Sequence, residues 1–244
     1  MVTNNLGKDF LKDFNNRNAL LFLMLVFAGD LFYFVIHTYH VISDRNLLFH
    51  IGTDGGYPEF YQYLKFFWIG ILLVYYAFKQ KSYGFLSWAF LFIFFLLDDS
   101  LQFHEGGGKI FAERFDFNPP FGISLRQFGE FLVTVLAGVI IFIPPVVAYW
   151  KGKGNFRKIS NDLILLVGLL IFCGVVIDEV NEFLHSSIRA ANFIMTMLED
   201  GGEMVSATLI AWYVFLLNVR NPDETKTIVE SLKELVFKRK NSKS

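Results

Sequence analysis

The chain carries one cysteine, Cys173, in 244 residues. It can form no intrachain disulfide and no thiolate-rich metal site, so Cys173, inside an apolar run, is expected to act as a small buried hydrophobe. Charge is scarce as well: Asp, Glu, Lys and Arg make up 18% of the residues and the net charge is -1. That balance excludes the basic surface that binding to nucleic acid requires. A cleavable leader is not expected either. The first apolar run contains Asp30 and continues into His37, Thr38, Tyr39 and His40 where a cleavage site would need small residues, so it reads as a retained helix.

What the chain does have is apolar surface. Hydrophobic residues reach 54%, aromatic residues 18%, and there are 30 phenylalanines. A soluble domain could not bury that much, whereas a membrane protein has no need to. Crossing a hydrocarbon core ~30 Å thick takes ~20 helical residues. Runs of that length fall at 19–41, 60–80, 83–105, 124–150, 161–186 and 194–218. The expected fold is therefore an all-α integral membrane protein with six transmembrane helices. Lys and Arg collect before the first run, between the second and third, between the fourth and fifth, and after the sixth, which places both termini in the cytoplasm of a cell-membrane protein.

The soluble ends are short. Residues 1–18 read as a cytoplasmic interfacial helix, with Leu6, Phe10, Leu11 and Phe14 at helical spacing. Residues 19–218 form the membrane domain, and 219–244 an amphipathic cytoplasmic tail. In that tail Asn221, Pro222 and Glu224 suit a helix start, and Ile228, Leu232, Leu235 and Val236 suit its apolar stripe.

Two membrane runs carry the same polar pattern. Asp98, Gln102 and Glu105 stand at i, i+4 and i+7 near the end of the third run, and Asp178, Glu182 and His185 repeat that spacing near the end of the fifth. After each comes a second pair at i, i+4: Arg126/Glu130, then Glu199/Glu203, with Gly129 and Gly202 just before the last glutamate. The duplication predicts that helices 3–4 and 5–6 form a pseudo-twofold repeat about an axis along the membrane normal, giving a four-helix polar core. On a straight helix such a stripe spans only about 60° of arc, and it must face inward because lipid cannot solvate carboxylates.

Each ionisable group at the centre of a membrane helix costs roughly 2.5 to 3.5 kcal/mol. So many acids in one layer near the outer interface cannot all stay ionised without a compensating cation, so protons or metal ions are expected to complete the site. Glu182 and His185 form a Glu-x-x-His pair, which resembles the motif of di-iron and di-manganese carboxylate bundles, and Glu130 and Glu203 would be the single glutamates that other helices add there. The expected metal ligands are Glu105, Glu130, Asp178, Glu182, His185, Glu199, Glu203 and His37, holding one or two ions of Fe, Mn or Zn, while Asp98 and Arg126 are the expected catalytic residues. Off the stripes, Asp99, Glu179 and Asp200 are expected to face the outer interface, and Asp30 to bond between helices. Gly106, Gly107 and Gly108 read as a helix stop with a flexible loop, and Pro144 and Pro145 as a kink.

The leading functional reading is a metal-dependent membrane enzyme, a hydrolase or di-metal oxidoreductase, whose substrate is lipid or lipid-like because the site opens into a leaflet. A transporter or channel for cations or protons could use the same acids, and a sensor or assembly subunit could bind metal or lipid and signal through the tail. The expected partners are membrane lipid and a metal ion, not nucleic acid. Homo-oligomers are compatible with every reading.

Overall fold

A computed structural model of the chain describes residues 16–43, 46–119, 123–178, 180, 189–220 and 227–241. Helices α1 (Arg17–Ser43), α2 (Tyr57–Lys79), α3 (Phe85–Leu101), α4 (Phe103–Arg114), α5 (Leu125–Lys151), α6 (Asn155–Ile171), α7 (Arg189–Val219) and α8 (Ile228–Asn241) follow one another, and no strand occurs among the described residues. Four of them, α1, α5, α7 and α6 with the π-helical turn that extends it to Ile177, are long and apolar enough to cross a membrane. The α3–α4 pair makes a fifth such span if its 57° bend is counted as one crossing. Large apolar side chains stay exposed along α1 (Leu25, Val35) and α5 (Val139, Ile140), a surface fit for lipid and not for water.

The long helix α7 is the centre of the bundle. It packs on α1, α2 and α6, and α2 also packs on α3; α5 instead lies at the edge, against α3 and α4, and touches α6 sparingly. Ala207, Ile210, Ala211 and Val214 of α7 meet Ile69, Leu73 and Leu163 in one continuous core. Burial separates the helices that the repeat pairs: 61% of the apolar window of α7 is buried against 11% of that of α5.

Two buried polar links hold this arrangement. In the first, Lys65 of α2, fully buried, pairs with fully buried Asp30 of α1 and donates to the Met204 carbonyl of α7 at 2.9 Å. The second Asp30 oxygen accepts from Thr208 Oγ1 at 2.6 Å, so the expectation that Asp30 bonds between helices describes its surroundings. Three helices are tied at one point, and the packing of apolar side chains around it keeps water from competing.

The second link joins the first turns of α6 and α8. Asp162 of α6 accepts from the Ile228 and Val229 backbone N–H groups at 2.7 and 2.9 Å and from the Tyr213 hydroxyl at 2.6 Å. It thereby caps α8 from another helix, satisfying donors that a helix N-terminus leaves free. Thr227 and Glu230 add a reciprocal capping box, at 3.3 Å from the Glu230 N–H to Thr227 Oγ1 and 3.2 Å from the Thr227 N–H to Glu230. The described helix thus opens on Thr-x-x-Glu; the sequence-predicted start at Asn221, Pro222 and Glu224, like the interfacial helix before residue 16, lies outside the described residues.

The third apolar run is not one straight helix, contrary to the sequence pattern. Gln102 takes a left-handed conformation (φ 52°, ψ 46°) and ends α3, its N–H reaching the carbonyls of Asp98 and Asp99. Nor do Gly106–Gly108 stop a helix: they lie inside α4, where the lack of side chains lets α5 approach, Gly107 against Val133 and Gly108 against Arg126 and Glu130. The fifth run ends its α-helical part at Ile171 and widens into a π turn, Phe172–Ile177. Pro144 and Pro145 remain within the single helix α5.

Replacing Lys65 by Met, or Asp30 by Leu, leaves a buried charge alone and should destabilise the bundle by ~3–5 kcal/mol, whereas the double variant should lie closer to wild type; thermal unfolding in detergent measures both. At the second link, Asp162→Ala should speed proteolytic release of the tail between α7 and α8. Glu230 should respond weakly to acid. Burial raises its carboxyl, but bonds from Lys158 at 2.7 Å and from Thr227 outweigh that and lower it. Its stabilisation is complete above the ordinary 4.5 and disappears as pH falls through the lowered value, amounting to less than ~1 kcal/mol for so exposed a pair.

Candidate functional site

A cavity of about 230 Å³ opens where the ends of α3 and α6 meet the first turns of α4 and α5 and the upper part of α7. Its wall carries five carboxylates, Asp98, Asp99, Glu130, Asp178 and Glu203, with His104, Gln127 and Thr134; Phe66, Phe95, Phe131, Leu170 and Ile171 form its apolar base. Lys and Arg are absent from the described lining. That volume holds several waters or a hydrated ion.

Each side chain arrives there for a local reason. The left-handed break at Gln102 turns the chain so that His104 Nδ1 lies 3.3 Å from Asp98 Oδ2. The same break removes Gln102 and Glu105 from the Asp98 stripe, so the sequence-predicted i, i+4, i+7 face does not exist; Glu105 instead meets Arg126 at 3.5 Å on the rim. Asp99, expected at the interface, lines the cavity, and its carbonyl accepts from Tyr63 at 3.2 Å.

At the start of α5, Ser124 and Gln127 form a capping box, with the Gln127 N–H 3.2 Å from Ser124 Oγ and the Ser124 N–H 2.8 Å from Gln127 Oε1. This sets the register of the first turn. Arg126 Nε then bonds Glu130 Oε1 at 2.7 Å, and the guanidinium, 48% exposed, bridges Glu130 to Glu105. Arg126 is thus engaged in orienting Glu130 from outside the cavity.

The duplicated Gly-Glu steps have a steric explanation. Gly129 packs directly on Phe111 of α4 and Gly202 on Cys173 of α6, each too close for a Cβ. In both cases the glycine brings a neighbouring helix near while the next residue, Glu130 or Glu203, faces the cavity. Across from Glu203, Gly174 in the π turn leaves the space its carboxylate fills; a Cβ there would collide with it. Glu203 lies within electrostatic reach of Asp99, Asp178, Glu199 and Asp200, and of Lys65 behind it.

The sequence-predicted residues divide accordingly. Asp98, Glu130, Asp178 and Glu203 share the cavity; Glu105 and Arg126 stand at its rim; Glu199 sits one turn before Glu203 on α7. Glu182 and His185 lie outside the described residues, as do Glu179 and Asn181. His37 belongs to a separate cavity of about 190 Å³ shared with His50, Asn192 and Thr196, stacked on Phe193 and accepting from the Ile51 N–H through Nδ1 at 3.2 Å. Among the described residues no three of His, Cys, Asp and Glu converge closely enough to hold an ion. The cavity acids surround a shared space without meeting at one point.

Two wall residues, His104 and Asp99, do not follow from the periodic pattern. For His104 the signal was Gly107 and Gly108, which mark close helix contact just after Gln102 and hence a change of direction there. Among known proteins, the profile of a domain of unknown function (DUF8692) matches residues 18–219, from the start of α1 to the end of α7. No curated protein and no solved structure matches the chain.

Gly174→Ala should lower stability by ~1–3 kcal/mol through overpacking against Glu203, although alanine favours a helix over glycine. Glu203→Ala in the same chain should restore the loss by making room. Gly168→Ala, whose Cβ meets nothing within 4 Å, should instead be neutral or stabilising. Equal effects at the two glycines would refute the proposed contact.

Proposed function

We propose that this chain, which belongs to the DUF8692 family, is a multi-pass membrane protein that binds a metal cation in the acidic cavity and acts as a metal-dependent enzyme on a lipid-like substrate. One observation carries the reading: five carboxylates and an imidazole face one cavity whose described lining has no lysine or arginine. Like charges that share a low-dielectric space repel one another until a cation or protons relieve them. Oxygen-rich ligands with one imidazole suit Fe, Mn or Zn.

The donor types suit such an ion, while among the described residues no three of them converge closely enough to hold it. Glu203 and Asp178, supported by Glu130 and the Asp98–His104 pair, would hold it together with Glu182 and His185, the Glu-x-x-His pair of the sequence. A bound ion of this kind lowers the pKa of water or polarises a carbonyl oxygen. The chain's own residues supply the rest. Arg126, tied to Glu105 and Glu130, keeps Glu130 aimed at the cavity. His104, bonded to Asp98, is set to exchange a proton at its other ring nitrogen. Phe66, Phe95 and Phe131 exclude bulk water and strengthen the electrostatic interactions inside.

In this reading six segments cross the cell membrane, both termini are cytoplasmic, and the cavity lies in the outer leaflet. The pairing of helices as a repeat accounts for the shared Gly-Glu steps.

One observation favours a second reading, transport of cations or protons. Behind Glu203 stands Lys65, bonded to Asp30, so titratable groups continue from the cavity to α1.

Elemental analysis of protein purified in detergent separates the two. Wild type should carry near-stoichiometric Fe, Mn or Zn, and Glu203→Gln or Asp178→Asn should lose most of it with the fold retained. Metal absent from wild type, together with proton flux into liposomes that Glu203→Gln abolishes, would replace the enzyme reading with transport.

A further inference from the structure

The end of the bundle where α8 attaches is basic. Lys79 and Lys81 stand where α2 ends, Lys151 and Lys153 where α5 ends, and Arg157 and Lys158 in the first turn of α6. The stretches 79–84 and 149–158 hold no Asp or Glu. Contacts join these turns: Arg157 donates to the carbonyls of Tyr149 and Trp150 at 3.0 and 2.9 Å, and Lys79 to that of Asn218, near the end of α7, at 2.6 Å. Lys158 bonds Glu230 of α8 at 2.7 Å.

The start of α8 is tied to the bundle, and its surface changes character after that. Thr227 and Ser231 are buried, whereas Leu232, Lys233 and Glu234 are exposed. Helical spacing puts Leu232, Leu235 and Val236 on one face with Lys233 at its border, and Lys238, Arg239 and Lys240 fall in the last turn.

We propose that α8 docks on the headgroups of anionic phospholipid in the adjoining leaflet, with its apolar face toward the acyl chains and its Lys and Arg on the phosphates. The proposal rests on the reading of this chain as a membrane protein.

Reach is the first argument. With the π turn that extends it, α6 has 23 residues and is ~34 Å long, against ~30 Å of hydrocarbon, so its first residue stands at the edge of the core. Asp162, which caps α8, lies ~10 Å further in. From there α8 descends toward the start of α6, because Glu230 meets Lys158, one turn before Asp162. The 14 residues of α8 extend ~20 Å. Whatever its tilt, the far end of α8 stands at most ~10 Å beyond the core, in the headgroup layer or about a Debye length from it.

Composition then selects the partner. A polar acidic protein surface would answer the charges but leave Leu232, 41% exposed, and the stripe it begins in water. Zwitterionic lipid would take the apolar face and attract the basic residues little. An anionic bilayer surface takes both.

The full chain with Leu232→Cys is labelled by a water-soluble, environment-sensitive fluorophore, which buried Cys173 escapes. It is then placed in nanodiscs of phosphatidylcholine or of an equimolar mixture with phosphatidylglycerol. Both leaflets of a nanodisc have the same lipids, so the result does not depend on which end faces the cytoplasm. Iodide quenching resolves the docked from the free tail. The docked-to-free ratio should be on the order of 100-fold higher with phosphatidylglycerol, as three basic residues near an anionic surface imply, and should fall back at about 1 M salt. Lys238→Gln, Arg239→Gln and Lys240→Gln together should remove most of that preference and leave the melting temperature unchanged. An equal ratio in the two bilayers, or a preference that survives the triple substitution, would overturn the proposal. A tail free in both bilayers that cross-links to an acidic protein in native membranes would also overturn it and assign the surface to that partner. Failure of the chain to enter nanodiscs at all would overturn the membrane reading beneath it.

Discussion

A carboxylate cannot be left facing hydrocarbon, and three different answers to that constraint organise this bundle. Asp30 is neutralised by Lys65 and bonded by Thr208, which draws α1, α2 and α7 together. Asp162 takes two backbone N–H groups of α8 and the Tyr213 hydroxyl, so the negative charge is matched by the donors of a helix N-terminus. Around the cavity the acids share a space with no lysine or arginine in its described lining, and His104 meets Asp98 alone among them. The first two answers close on themselves and make structure. The third is left open toward the cavity.

The geometry that keeps the third cluster open is steric as much as electrostatic. Glycine at 129 and 202 brings α4 and α6 against α5 and α7, and the residue after each glycine then faces inward. The π turn of α6 adds a residue to one turn, and Gly174 within it makes room for Glu203. Helix approach and carboxylate placement are in this way one feature: a side chain added at any of these glycines would separate helices and displace an acid together.

The edge position of α5 has a further consequence for packing. Because α5 touches α6 sparingly, an apolar cavity of about 380 Å³ lies between them, and Ile171 lines both it and the acidic cavity. Central α7, packed on α1, α2 and α6, is far more deeply buried than α5.

Hydropathy by itself determined that the chain is helical and apolar enough for a membrane, because a helix satisfies its own backbone and its spanning length is set by the bilayer. The residues that needed burial were equally legible, since Asp98, Glu130, Asp178 and Glu203 stand out against apolar surroundings and all reach one cavity. Periodicity could not reveal where a helix stops being straight. One left-handed residue, Gln102, turned His104 inward and moved Glu105 to the rim, while Asp99, on α3 before it, lines the same cavity. Nor could it pair Lys65 with Asp30, or Asp162 with the start of α8, across sequence separations of 35 and 66. Those choices belong to tertiary structure because they depend on which helices are neighbours, and helix approach is governed by side-chain volume at the contact rather than by the hydrophobic pattern along the chain.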